Sequence, residues 1–148
     1  MKLNIDLVPT QLMYKNLRTI LGNKWTALSK EIRKEANGIC QTCGRKSDKL
    51  EAHELWIYDD EKMTQTLSEI RAVCFSCHCC YHLGHSIVAK KMEPSYLMQC
   101  IAIVNECTLE EAWKIFEKAF EVWKTRSHPT KVWEQVIPKE RYEVRSHR

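Results

Sequence analysis

Two Cys-x-x-Cys pairs, Cys40/Cys43 and Cys74/Cys77, stand thirty residues apart, with His53 between them and His78, His82 and His85 just behind. Zinc prefers four soft or borderline ligands in a tetrahedron, and two such turns supply four thiolates with little strain. The four cysteines are therefore expected to hold one structural zinc ion. Gly44 suits a knuckle whose backbone amides turn toward the thiolates. The second pair falls at a loop-to-helix junction, where a helix N-terminus stabilises negative sulfur. A redox dithiol is the competing interpretation, and the strand-bearing segment between the pairs argues against it. Cys79 and Cys80 lie so close that either could replace Cys77 as the fourth ligand. Cys100 and Cys107 stand among apolar residues and are expected to be buried free thiols.

The histidines suggest a second centre. His78 and His82 are one helical turn apart and share a face, while His53 lies on a strand expected to pair beside that helix. Three imidazoles meeting there could hold a second divalent ion (Zn, Ni, Co or Mn by ligand type). His85 follows Gly84 and reads as a surface or capping residue; His128 and His147 carry no signal.

Helical spacing predicts a first helix over 10–21 and a second over 24–36, with Asn37-Gly38 as its stop. Residues 50–58 alternate as a strand, 59–63 read as a loop, and 67–73 as a second strand. A short helix follows Cys74 and is expected to end at Gly84. Ser95 is a plausible N-cap for the next helix, and Thr108-x-x-Glu111 is a capping box opening the last one. That helix carries Trp113, Phe116, Phe120 and Trp123 on one face, expected to share a core with Trp25. The tail to Arg148 is expected to be ordered only where Trp133, Val136 and Ile137 find cover. Trp56 and Tyr58 are expected to pack around the zinc unit.

With 148 residues, four glycines and four prolines, the chain fits one domain without long linkers. Its expected parts are N-terminal helices (10–38), a zinc unit (39–92), C-terminal helices (94–126) and a tail (127–148). A hydrophobic fraction of 44% and a net charge of +4 are compatible with nucleic acid without demanding it. No signal peptide or membrane span is apparent, so a reducing cytoplasm is expected, bacterial or that of an infected host cell. Arg45, Lys46 and Lys49 in the knuckle loop, joined by Arg71, Lys90 and Lys91, are the candidate phosphate contacts.

Over about 39–84 the chain resembles the HNH, or His-Me finger, endonuclease family. The resemblance rests on Cys40-x-x-Cys43-Gly44, Leu50-Glu-Ala-His53-Glu54 and Val73-Cys74-x-x-Cys77-His78, with His82 following. The wider chain is similar to a bacterial and phage group of such proteins, sharing Asn4-x-Asp6-Leu-x-Pro9, Trp25 and the segment from His53 to Asp59. The resemblance implies an α+β fold, with a treble-clef ββα-metal unit flanked by helices. It also implies metal-dependent hydrolysis of a nucleic-acid phosphodiester, DNA in preference to RNA. His53, His78 and His82 would hold the ion (Mg, Mn, Ni, Co or Zn), which acts as a Lewis acid. Glu54 stands where the family places its general-base histidine, and Glu69 where it places an asparagine. Fourteen residues separate Glu54 from Glu69 and eight separate Glu69 from His78, as in the family pattern. Either Glu54 or His53 would activate water. Strand alternation sets residues 53 and 54 on opposite faces, so both reach the helix only across a bulge. The alternative function is a nuclease-derived zinc module without catalysis. It would bind DNA or a host protein, as a phage accessory factor does.

Overall fold

The computed structural model describes residues 2–142. The elements follow the order α1 (Leu17–Leu21), α2 (Asn23–Glu35), β1 (Glu51–Asp59), β2 (Thr64–Val73), α3 (Phe75–Tyr81), α4 (Leu83–Val88), α5 (Pro94–Asn105), α6 (Leu109–Arg126) and β3 (Glu134–Val136). The class is α+β: six α-helices and one three-stranded sheet among the described residues. The last six residues of the expected tail, including His147, lie outside that range.

β1 and β2 pair antiparallel, setting His53 opposite Arg71, Glu54 opposite Ile70 and Leu55 opposite Glu69. The register shifts between Leu55 and Trp56, so that Trp56 faces Leu67 and Ser68 is the extra residue on β2. This bulge comes after Glu54, and the alternation before it is regular. Glu51, His53 and Leu55 therefore share one face of the hairpin, and Ala52, Glu54 and Trp56 the other. β3 adds to the far side of β2 in parallel, which leaves β1 as an edge strand.

The hairpin divides two apolar cores. On the Glu54 side, Leu17, Trp25, Leu28 and Leu67 are buried, with Ala52, Trp56 and Ile70 packed against them. On the His53 side the larger core holds Leu3, Ile5, Val73, Leu83, Leu97, Met98 and Ile101. Each buried leucine there contributes about 1.5–3 kcal/mol relative to an exposed one. Before α1 the chain runs as an extended arm in which Leu3 and Ile5 are buried and Lys2 and Asn4 exposed. The Asn105 side chain fastens it, accepting from Leu3 N–H at 2.8 Å and donating to Leu3 C=O at 3.0 Å.

Several boundaries differ from expectation. The helix expected over 10–21 breaks into a 3-10 turn at Thr10–Leu12 and the short α1. The break occurs because the Asn16 side chain caps α1, accepting Thr19 N–H at 2.9 Å. β2 begins at Thr64, before the expected 67. Gln65 is buried there, donating to the Tyr58 hydroxyl at 3.0 Å and accepting from Gln135 at 2.9 Å. The helix after Cys74 does not end at Gly84; it bends at His82 and continues as α4 to Val88. Glu93 rather than Ser95 precedes α5, since Pro94 takes the first helical position. Thr108 caps α6 through Glu111 N–H at 3.1 Å, but the Glu111 carboxylate accepts from the Thr108 hydroxyl instead of a backbone amide.

The aromatic stripe of α6 is also corrected. Ala112 and Ala119 form its buried line, Trp113 is 42% exposed, and Phe116, Phe120 and Trp123 are half-buried. Trp25 belongs to the opposite core. Trp56 packs there as well, and Tyr58 lies against Trp133 and beneath the Arg126 guanidinium, so neither surrounds the cysteine site. Trp133 is buried and Ile137 packs on the smaller core, whereas Val136 is exposed.

Candidate metal centres and cleft

The cysteine site is built from local backbone geometry. Between α2 and β1 the chain forms a knuckle: Cys40 N–H donates to Arg45 C=O at 2.9 Å and Gly44 N–H to Cys40 C=O at 2.9 Å. Gly44 has φ of +77°, a conformation that side-chain-bearing residues rarely adopt. Cys43 N–H points at Cys40 Sγ from 3.5 Å. Gln41 fastens the knuckle to β2 in both directions, N–H to Ala72 C=O at 2.9 Å and Ala72 N–H to its side chain at 2.8 Å. Cys74 precedes α3 and Cys77 lies in its first turn.

The four sulfurs lie within 4.8 Å of one another, and Cys43 Sγ is 3.8 Å from Cys74 Sγ. Zinc–sulfur bonds of about 2.3 Å in a tetrahedron place sulfurs about 3.8 Å apart, so the donor set fits a metal ion such as zinc. The Cys77 thiol beside Cys40 holds Cys40 down at about 4, with help from the Cys43, Cys74 and Thr42 amides and against burial. Cys77 is driven upward by the Cys40 sulfur and by burial. Cys79 and Cys80 are buried outside the cluster: the Cys80 thiol donates to Leu97 C=O at 3.8 Å, and burial raises Cys79. Cys100 and Cys107 are free and half-buried instead of buried.

The second cluster gathers His53 from β1, His78 from α3 and His82 from the α3–α4 bend, each offering a ring nitrogen within 4.8 Å of the other two. His53 is buried, stacked on Tyr81 at 4.4 Å and 12°. His78 and His82 meet it edge-on at 5.3 and 4.8 Å between ring centroids. Burial holds His53 near 2, with the His82, His78 and Arg71 charges adding to it. His82 reaches solvent while its ring packs under the other two. It is lowered to about 4 by desolvation of the packed ring, then by His78 and His85. His78 is lowered by burial, against the pull of Glu51. Burial thus favours the neutral ring at all three, the state in which imidazole ligates a metal.

Glu51 is the residue that motif reading did not single out. Its carboxylate holds Nδ1 of His78, which leaves Nε2 as the ring nitrogen free to ligate and favours metal binding. The signal was present in the alternation, because Glu51 lies two residues before His53 and shares its face.

Glu54 is on the opposite face. Its Oε1 accepts the Leu17 N–H at 3.0 Å and its Oε2 is buried without a hydrogen-bond partner. Burial raises it to about 7, against the Leu17 amide, the Trp56 indole and the Arg18 charge. Glu69 shares the His53 face and pairs with Arg71 at 2.5 Å. Arg71 also reaches the Tyr81 hydroxyl at 3.3 Å, and that hydroxyl shares a 2.9 Å hydrogen bond with Thr42 in the knuckle. Tyr81 thus links the imidazole cluster to the knuckle.

A cleft of about 1170 Å³ opens along the free edge of β1. His53, His78, His82, His85, Glu69 and Arg71 line it, and so does Glu54 from the other side of the strand. Of the predicted phosphate contacts only Arg71 lies there. Arg45, Lys46 and Lys49 are exposed on the knuckle, and Lys90 and Lys91 border a smaller cavity with Cys100. No helix among the described residues is long and apolar enough to cross a membrane. No protein-family model, curated protein or solved structure matches the chain.

Proposed function

We propose that the protein is an HNH-like, metal-dependent endonuclease that hydrolyses nucleic-acid phosphodiester bonds. The observation that carries this reading is the convergence of His53, His78 and His82, with Glu51 fixing His78, at the wall of an open cleft. The order of knuckle, hairpin and helix around the four cysteines supports a treble-clef zinc unit as the scaffold. In that reading Cys40, Cys43, Cys74 and Cys77 hold structural zinc, and the three histidines hold a second divalent ion. When bound, the second ion supplies Lewis-acid stabilisation of charge on a phosphoryl or leaving oxygen.

The chain's own groups divide the remaining work. Tyr81 and Glu51 orient His53 and His78. Arg71, opposite His53, supplies positive charge where a phosphate would approach. Glu69, on the same face and lining the cleft, is in this reading the carboxylate assigned to take a proton from water, provided that substrate draws Arg71 away from it. The test is plasmid nicking by zinc-loaded protein with added Mg, Mn, Ni or Co, beside His53→Ala and His78→Ala. The reading expects nicking that both substitutions abolish while the cysteine-bound zinc remains. Absence of nicking under every metal would overturn it.

A second reading, a non-catalytic module that binds nucleic acid or a protein, is favoured by Glu54. The carboxylate standing at the family's general-base position is tied to Leu17 and faces away from the imidazoles.

A further inference from the structure

The acids and bases of the cleft are unequally committed. Of its carboxylates, Asp6 pairs with Arg126 at 3.1 Å, Glu69 pairs with Arg71, and Glu54 is held by the Leu17 amide. Lys2, Lys15 and Arg18 also line the cleft, with exposed side chains. Among the described residues none of these three has a carboxylate within ion-pair distance.

All three belong to the segment before and within α1, which burial and hydrogen bonds hold against the rest of the fold. Burial of Leu3 and Ile5 turns Lys2 outward by alternation, and Lys2 C=O accepts from Arg71. Leu12 and Leu17 are buried on either side of Lys15. Gln135 donates to Lys15 C=O at 2.6 Å, and Gly22 N–H closes α1 on Arg18 C=O at 3.1 Å. Arg18 stands near enough for its charge to act on both Glu54 and His78. β1 also lines the cleft, through residues 52–58, a run of about 20 Å at about 3.3 Å per residue.

From this we infer that the N-terminal arm and α1, through Lys2, Lys15 and Arg18 together with Arg71, grip the phosphodiester backbone of a nucleic-acid strand lying along the free edge of β1. Four cations lining a cleft that runs beside a strand of that length match a ligand with several anionic groups, not a single phosphate. The inference rests on the cleft being a phosphodiester site. Of the six expected phosphate contacts it keeps Arg71 and replaces the knuckle residues Arg45, Lys46 and Lys49, with Lys90 and Lys91, by Lys2, Lys15 and Arg18.

The experiment is fluorescence anisotropy with labelled single-stranded DNA, duplex DNA and RNA of one sequence. The protein is zinc-loaded, and no second divalent ion is added, so that cleavage does not intervene. Lys15→Gln/Arg18→Gln and Lys2→Gln are compared with Lys46→Gln/Lys49→Gln across a salt series. All these side chains are exposed, and thermal unfolding checks that each variant is folded. The arm pair should weaken binding about tenfold and make the salt dependence shallower by about 0.7–0.9 for each cation removed, while the knuckle pair stays close to wild type. Which of the three nucleic acids binds tightest identifies the strand type. Wild-type binding that the arm substitutions leave unchanged would overturn the inference and spare the proposed function. Failure of the wild type to bind any of the three at low salt would overturn both.

Discussion

The two ligand clusters are neighbours built in different ways. The cysteine site is assembled mostly by backbone: a knuckle stitched to β2 through Gln41, and a helix whose first turn carries Cys77. Cys40 and Cys77 are buried and the other two half-buried, so the site is closed, as structural metal sites are. The histidine site is assembled by side chains from separate elements, and it grades from buried His53 to exposed His82. One side of it faces a cleft. A closed site suits holding the fold, and an open one suits a ligand that comes and goes.

That contrast can be broken most decisively at Cys77. Because metal binding and folding are one equilibrium in such units, Cys77→Ala should abolish zinc retention and remove the cooperative thermal transition, read by metal content and circular dichroism. A folded, cooperative Cys77→Ala protein would mean that the knuckle stands on packing alone. At the histidine site Glu51→Gln should leave the fold intact and weaken the second ion about 10- to 100-fold, measured by calorimetric titration with Co or Zn after the cysteine site is filled. An unchanged affinity would show that Glu51 does not orient His78.

Tyr58 probes β1 beyond the bulge, away from both clusters. Burial raises its phenol to about 12, against the hydrogen bond from Gln65. The folded state thus holds the proton more tightly than the unfolded chain, whose tyrosine ionises near 10. Stability should be intact below pH 10 and fall by on the order of 2 kcal/mol between pH 10 and 12. Tyr58→Phe should flatten that part of the denaturation profile. The smallest effect is expected at Glu54: Glu54→Gln should change affinity for the second ion by less than about twofold, since the carboxylate faces Leu17. A large loss would place Glu54 in the ion's coordination sphere after all.

How much of this was legible beforehand depended on the range of the interaction. The spacing of the cysteine pairs revealed a local construction, and the single turn from His78 to His82 put both on one face. Alternation of 53 and 54 correctly anticipated that one would turn away, since the extra residue of the bulge, Ser68, lies on β2 and leaves the alternation of β1 around Glu54 intact. What residue type could not supply was long-range placement. Arg45, Lys46 and Lys49 look like phosphate contacts, yet nothing in the linear chain says that Lys2 and Arg18 line the same cleft as the imidazoles. The α6 aromatics misled for the same reason. Helical spacing defines their stripe but not its depth, and the alanines that let α6 approach its neighbours took the core instead.

Tyr81 gives the arrangement a thermodynamic consequence. Its ring supports His53, and its hydroxyl is bound to Thr42, two residues into the knuckle that Cys40 opens. To the extent that filling the cysteine site orders Thr42 and Tyr81, it prepays part of the cost of arranging the imidazoles. Linkage is reciprocal: whatever factor zinc at the cysteines adds to the affinity of the histidine site, an ion at the histidines must return to the cysteines. Tyr81→Phe, which keeps the stacking and removes the hydroxyl, would reduce that mutual factor while leaving each set of ligands in place.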